Sequence, residues 1–299
     1  ADARPVGAVF NDELRLVGWR PVPLLSPESE AGWITPQQSY IIELFWEVLQ
    51  PTKTRYEFTL TYEVDGQRVA GYDRFIGGTS YPPMPTYMWQ VGDIYSEIVG
   101  FRPPTDAPLL RSGRVFVDMY TTEGDLRDPS RPIFEVSITE PQGAADISLT
   151  TLAVYPNAVP EELPPVETAL DITFTAPNGD SIALYGYTLL DEAAAGETLM
   201  LEMVWIAQTE VALNYNMFIH VMNEDDELVT QFDGPPIADI LTSNWRPEYP
   251  LVGQIAVPRP QQAGTYRLYA GLYDAPAASF RLDAGTPDNR VLLAEVVIE

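Results

Sequence analysis

The chain repeats itself at the length of a whole domain. Glu43-Leu-Phe-Trp46 returns as Glu202-Met-Val-Trp205, Tyr72-Asp73 as Phe232-Asp233, and Trp89 as Trp245. The stretch Arg114–Tyr120 returns as Arg267–Tyr273, and Arg131–Ile138 aligns with Arg290–Ile298. Partners stay 153 to 160 residues apart and in the same order. Solenoid repeats run at about 20–50 residues, so this unit is a domain and the fold must be built twice. A length of 299 residues agrees, since domains average about 100–200 residues.

The hydrophobic period within each copy is two. In Tyr40–Val48 the residues Ile42, Leu44, Trp46 and Val48 share one face, with Glu43 and Glu47 on the other. Phe58, Leu60, Tyr62 and Val64 alternate in the same way. The second copy repeats the pattern at Leu199, Leu201, Met203 and Trp205, then at Met217, Ile219 and Val221. Such alternation marks antiparallel strands with one buried and one wet face. Asp65-Gly66, Gly77-Gly78, Asn178-Gly179 and Glu224-Asp-Asp226 supply turns between them. Twenty-eight prolines oppose long helices, because an interior proline costs a helix about 3 kcal/mol. The helix-like run Asp191-Glu-Ala-Ala-Ala195 stops at Gly196 and reads as a loop or a single turn.

The expected fold class is therefore all-β, with two tandem homologous antiparallel β-sandwich domains of immunoglobulin-like or jelly-roll topology. Trp46 and Trp205 sit mid-strand on the apolar faces and are expected to anchor the two cores. The first sandwich is expected over 1–140 and the second over 169–299. Residues 141–168 then hold an extra strand, Ile147–Tyr155, and a linker carrying Pro156, Pro160, Pro164 and Pro165 among acidic residues. Such a linker is stiff and extended. The copies differ most between Leu25 and Trp33, where the first hairpin is longer in copy one. Loops on a shared scaffold drift freely, and they also carry specificity.

Charge and residue choice exclude several function classes. The net charge is −26, with 43 acidic residues against 17 basic ones. A nucleic-acid binder needs a basic footprint to displace counterions, so neither nucleic acid nor an anionic lipid surface is an expected partner. Solubility accounts for most of such an acidic surface. Without cysteine there are no disulfides, thiolate zinc sites or cysteine nucleophiles. Lys53 is the one lysine in the chain, a matter of coding bias rather than of a site. No run approaches the roughly 18–20 apolar residues of a membrane span, and no signal peptide is visible. Any membrane association would come through a missing anchor or partner. The opening Ala1-Asp-Ala-Arg-Pro5 lacks methionine, as in a trimmed product or a fragment.

The inventory for catalysis is thin. His220 is the one histidine; it lies in an expected strand opposite Ile219 and Val221, at the register of Thr61 in copy one. No Gly-x-Ser-x-Gly elbow supports a Ser-His-Asp relay there. No phosphate loop, dinucleotide fingerprint or metalloprotease motif occurs. Glycoside hydrolysis needs two carboxylates about 5–10 Å apart, and spacing along the chain singles out no such pair. No catalytic residue, metal ligand or cofactor is expected. Four residues remain as candidate ligand contacts. Asp73 and Asp233 each follow an aromatic at a strand end, where turn capping ranks ahead of a Ca²⁺ contact. Trp89 and Trp245 stand in loops, where an indole either offers a stacking platform to a sugar or folds over the open end of the sandwich as a lid. Of these two readings the lid is favoured. The tip Asn223-Glu-Asp-Asp-Glu227 reads as a solvated hairpin end rather than a Ca²⁺ loop.

Copy two also shows a family likeness. Ser181-Ile-Ala-Leu-Tyr-Gly-Tyr187, Thr198–Trp205, Phe218-Ile-His-Val221, Gln231-Phe-Asp-Gly-Pro-Pro236, Ser243-Asn-Trp-Arg-Pro247 and Gly264-Thr-Tyr-Arg-Leu268 follow in order. This series resembles the extracytoplasmic β-sandwich modules at the C-terminus of bacterial multipass membrane glycosyltransferases of the dolichyl-phosphate-mannose-protein mannosyltransferase-like class. Copy one keeps Leu14–Trp19, the Glu43-x-x-Trp46 strand and Trp89, and departs at the Gly-Pro-Pro turn. The shared residues are scaffold residues, so no catalytic role carries over. The resemblance implies an outward-facing accessory module near polysaccharide or glycoprotein. The expected function is non-enzymatic: binding or positioning a glycan or a cell-surface protein beside a membrane glycosyltransferase. A structural spacer at the cell surface is the alternative, and a glycoside hydrolase comes third.

Overall fold

The structure, a computed structural model, describes residues 3–25, 30–78, 82–123, 130–190, 198–276 and 278–298. The Asp191–Ala195 run and residues 26–29 of the extra length after Leu25 lie outside the described residues. Among the described residues the regular structure is strand and short 3₁₀ turns, and no helix is long and apolar enough to cross a membrane. The chain divides into two units, Ala1–Pro156 and Asn157–Glu299.

In the first unit the strands are β1 (Arg4–Phe10), β2 (Leu14–Pro21), β3 (Trp33–Ile34), β4 (Tyr40–Val48), β5 (Tyr56–Val64), β6 (Gln67–Phe75), β7 (Ile94–Phe101), β8 (Ser112–Thr122), β9 (Ile133–Glu135), β10 (Ile138–Glu140) and β11 (Ile147–Val154). One sheet runs β10-β1-β2-β4-β7 and the other β3-β11-β8-β5-β6, with β9 also on β8. The second unit holds β12 (Thr168–Thr175), β13 (Ser181–Leu190), β14 (Thr198–Ala207), β15 (Tyr215–Met222), β16 (Leu228–Gly234), β17 (Pro250–Pro258), β18 (Gly264–Asp274) and β19 (Val291–Ile298). Its sheets run β12-β13-β14-β17 and β16-β15-β18-β19. Removing β3, β9 and β10 makes the two orders identical strand for strand. In each copy the fourth strand leaves the first sheet, the sixth returns to pair with the third, and the seventh crosses again to pair with the fourth. This crossing pattern is immunoglobulin-like Greek key rather than jelly roll.

The alternating residues close each core as the pattern requires. Trp46 packs on Phe58 of the facing sheet with ring centroids 6.0 Å apart, amid buried Leu16, Ile42, Leu60 and Val117. Trp205 is equally buried, beside Phe174 and Trp245. In the second unit the Tyr187 hydroxyl crosses between sheets to donate to the Leu293 carbonyl at 2.6 Å. Both anchoring indoles keep a buried N–H that meets no acceptor among the described residues.

Two corrections follow from the strand pairing. The strand Ile147–Val154, expected in a connecting segment, is the closing strand of copy one. It pairs antiparallel with β8 as β19 pairs with β18. The segment Arg131–Ile138 is consequently not the counterpart of Arg290–Ile298. It corresponds to the stretch before β19. Glu135 faces Tyr120 as Arg281 faces Tyr273, and Val136 N–H donates to Met119 as Leu282 N–H donates to Leu272. In both copies this segment crosses from one sheet to the other. The Ser137 carbonyl accepts from Asn11, and the Asp283 carbonyl accepts from Thr175.

Candidate functional site

Trp89 and Trp245 occupy one position in the two copies, and both are turned inward. Each follows a 3₁₀ turn, Thr86–Met88 and Thr242–Asn244. The threonine opening each turn braces it identically. Thr86 Oγ1 donates to Thr54 O and accepts from Tyr56 N–H; Thr242 Oγ1 donates to Leu213 O and accepts from Tyr215 N–H. The indole N–H groups donate to Met84 O at 2.7 Å and Ile240 O at 3.3 Å. Trp89 is 8% exposed and Trp245 1%. A stacking platform needs an open face, and neither indole has one. Trp89 stacks on Tyr95 at 4.0 Å, and both indoles close the end of their sandwich as lids.

Asp73 and Asp233 also prove equivalent, since Asp73 faces Thr59 and Asp233 faces Phe218 at one register of the paired strands. They lie within β6 and β16 rather than in turns, and neither carboxylate caps a backbone turn among the described residues. Their surroundings differ. Asp73 is occupied by its own unit: Thr59 Oγ1 donates to it at 2.6 Å and Arg68 pairs with it at 2.8 Å.

Asp233 instead borders a concave pocket of ≈ 530 Å³ lined by Phe218, His220, Tyr273 and the stretch Ala278–Arg281. The sheet supplies the floor. Phe218 is buried, and the His220 ring lies 4.4 Å from it. The crossing segment supplies the wall. It sets the Arg281 guanidinium 4.6 Å above the Phe218 ring, with one N–H directed to Asp288 O at 3.3 Å. Gly271 makes room for this stack, because a Cβ there would run into the Phe218 ring. Burial pulls the His220 pKa down; Arg281 and Arg290 add to the shift and Asp233 opposes it. The shift favours the neutral imidazole. An imidazole, a carboxylate, a phenol and a guanidinium gathered around the buried Phe218 ring can hydrogen-bond a polar ring.

A Ser-His-Asp relay is not assembled here. Ser279 Oγ donates to Asp274 at 2.7 Å, and no hydrogen bond joins Ser279, His220 and Asp233 among the described residues. No group of three or more His, Asp or Glu residues among the described residues could hold a metal ion. At the tip Asn223–Glu227, Asn223 Oδ1 accepts from the N–H groups of Asp225 and Glu227, and Asp226 pairs with Arg267 at 2.8 Å. This is a self-satisfied hairpin end.

Of these residues the sequence singled out Asp233 as a contact, set His220 aside as a strand surface residue, and left Phe218, Tyr273 and Arg281 unrecognised as partners. The signal was present. Phe134-Glu135-Val136-Ser137 set against Phe280-Arg281-Leu282-Asp283 shows an acid exchanged for a base. The misregistered last strand concealed it.

No family model matches the chain, and no curated protein matches it. Among solved structures, the chain is similar to a β-glucuronidase from Ruminococcus gnavus in complex with C6-substituted uronic isofagomine, at 9% identity and a TM-score of 0.19. The similarity covers 86% of this chain and 36% of that one. At this TM-score it supports no conclusion about fold or activity.

Proposed function

We propose that this chain is a non-catalytic binding module that holds a glycan in the Phe218–His220–Asp233–Tyr273–Arg281 pocket of its second unit. Its setting in this reading is extracytoplasmic, beside a membrane glycosyltransferase, as the resemblance of copy two implies. One observation carries the reading. Hydrogen-bonding groups of both polarities converge around the buried Phe218 ring, in a pocket whose lining among the described residues includes a single carboxylate, Asp233. Hydrolysis of a glycosidic bond needs two, and binding needs only one.

Calorimetric titration of the full chain against a panel of bacterial and plant oligosaccharides tests this. His220→Ala and Asp233→Asn are expected to weaken binding at least tenfold, and Asp73→Asn to leave it unchanged. Binding that survives both pocket variants overturns the assignment. A spacer at the cell surface is the second reading. The burial of Trp89 and Trp245 favours it, since two of the four sequence-chosen contacts then serve the fold alone. It is the reading that stands if no sugar binds.

A further inference from the structure

Comparing the two copies position by position narrows the ligand. We infer that the second-unit pocket receives a sugar bearing a carboxylate, bound by Arg281; this rests on the glycan reading above. Four equivalent positions differ between the copies. Thr59, Thr61, Asp118 and Glu135 of copy one stand where copy two has Phe218, His220, Gly271 and Arg281, as the strand registers require. Two acids on the copy-one face are thus a glycine and an arginine on the copy-two face. The copy-one acids already crowd one another. Partial desolvation and the carboxylates of Asp146 and Glu135 raise the Asp118 pKa. At the Glu135 position copy one carries acid where copy two carries base, and its remaining aspartate, Asp73, is held by Arg68 and Thr59.

The copy-two face has the opposite character. Arg281 has no ion-pair partner among the described residues, although the chain carries 43 acidic residues. Its guanidinium is already oriented, by the ring beneath it and by the Asp288 carbonyl. A fixed planar fork matches a planar carboxylate through two parallel hydrogen bonds. His220 adds a donor on the floor, and Asp233 can accept from sugar hydroxyls. The net charge of −26 does not forbid this, because screening confines the influence of distant charges to about 8–10 Å in physiological salt. The charges that His220 feels are Arg281 and Arg290 against Asp233.

The test uses the full chain and matched probes. These are oligosaccharides of galacturonate, glucuronate and mannuronate, their neutral hexose counterparts, and sulfated counterparts of the neutral set. At least one uronate is expected to bind ten times or more tighter than its neutral partner. That preference is expected to fall below twofold in Arg281→Gln and to be only partly recovered in Arg281→Lys, which keeps the charge and loses the fork. Glu135→Gln in copy one is expected to change nothing. Neutral probes binding as tightly as uronates would overturn the inference and leave the pocket assignment standing. Sulfated probes binding as tightly as uronates would overturn it in favour of a general anion site. Absence of binding by every probe would remove the glycan reading as well.

Discussion

At the scale of single residues, burial separates side chains that look alike in the sequence. Trp46 and Trp205 carry a large apolar area into their cores and leave an indole N–H there without an acceptor. Trp205→Ala is expected to cost about 3–5 kcal/mol by opening a cavity. Trp205→Phe is expected to cost clearly less. It keeps most of the packing and removes an unsatisfied donor whose desolvation penalty is about 1–3 kcal/mol. Urea denaturation of the two variants gives the comparison. The core role of these tryptophans was legible because strand period two points each to the apolar face. The sequence left two readings open for Trp89 and Trp245, because a loop indole is directed by the 3₁₀ turn before it and by the carbonyl that accepts its N–H. Asp73 and Asp233 were found as a pair, but their environments were not, since Thr59 meets Asp73 through the pairing of β5 with β6 and Arg281 joins the Asp233 pocket from the distant crossing segment.

At the scale of elements, the duplication extends to irregularities. The register slips between Leu16 and Gly18 on β2 and between Leu184 and Gly186 on β13. Both glycines lie against the first strand, where a Cβ would run into the carbonyl oxygen of Arg4 or of Thr168. Neither contact is with a flexible side-chain end, so the strands themselves would have to part. Gly186→Ala is therefore expected to destabilise the second unit by about 1–3 kcal/mol, read as a lower urea midpoint than wild type. The same regularity of strands explains the misassigned repeat end. A period of two has no memory of which alternating strand comes next, so the alternation alone let Arg131–Ile138 stand in for the closing strand, which is Ile147–Val154. Only the ladder partners Val117 and Arg114 on β8 identify β11. The strand existence and the sandwich class were written in the alternation. The Greek-key order, which decides who neighbours whom, was not.

At the scale of the whole molecule, both cores are expected to weaken in alkali. Tyr56 donates to Glu13 at 2.6 Å and Tyr215 to Asp180 at 2.8 Å, at equivalent corners of the two units. Burial, then the hydrogen bond to the neighbouring carboxylate, pushes the Tyr56 pKa up to about 12, and the same causes raise Tyr215. Tyr120 also rises to about 12, through burial and the nearby Glu57. Tyr40 and Tyr62 are raised by burial. A phenol with a raised folded pKa makes its full contribution to stability below its unfolded value near 10. That contribution is lost as pH climbs through the folded value, because the unfolded chain releases the proton first. Unfolding free energy is therefore expected to fall steeply between about pH 10 and 12. Tyr56→Phe and Tyr215→Phe are expected to flatten that slope, as followed by denaturation at stepped pH.

The closing strands β11 and β19 form their antiparallel ladders within their own copies, and so do the opening strands β1 and β12 with β2 and β13. A gene bearing one such unit could thus be spliced to another at the join without unpicking any existing pairing. The architecture lends itself to concatenation, and one bead could then change its chemistry while its twin kept the ancestral plan.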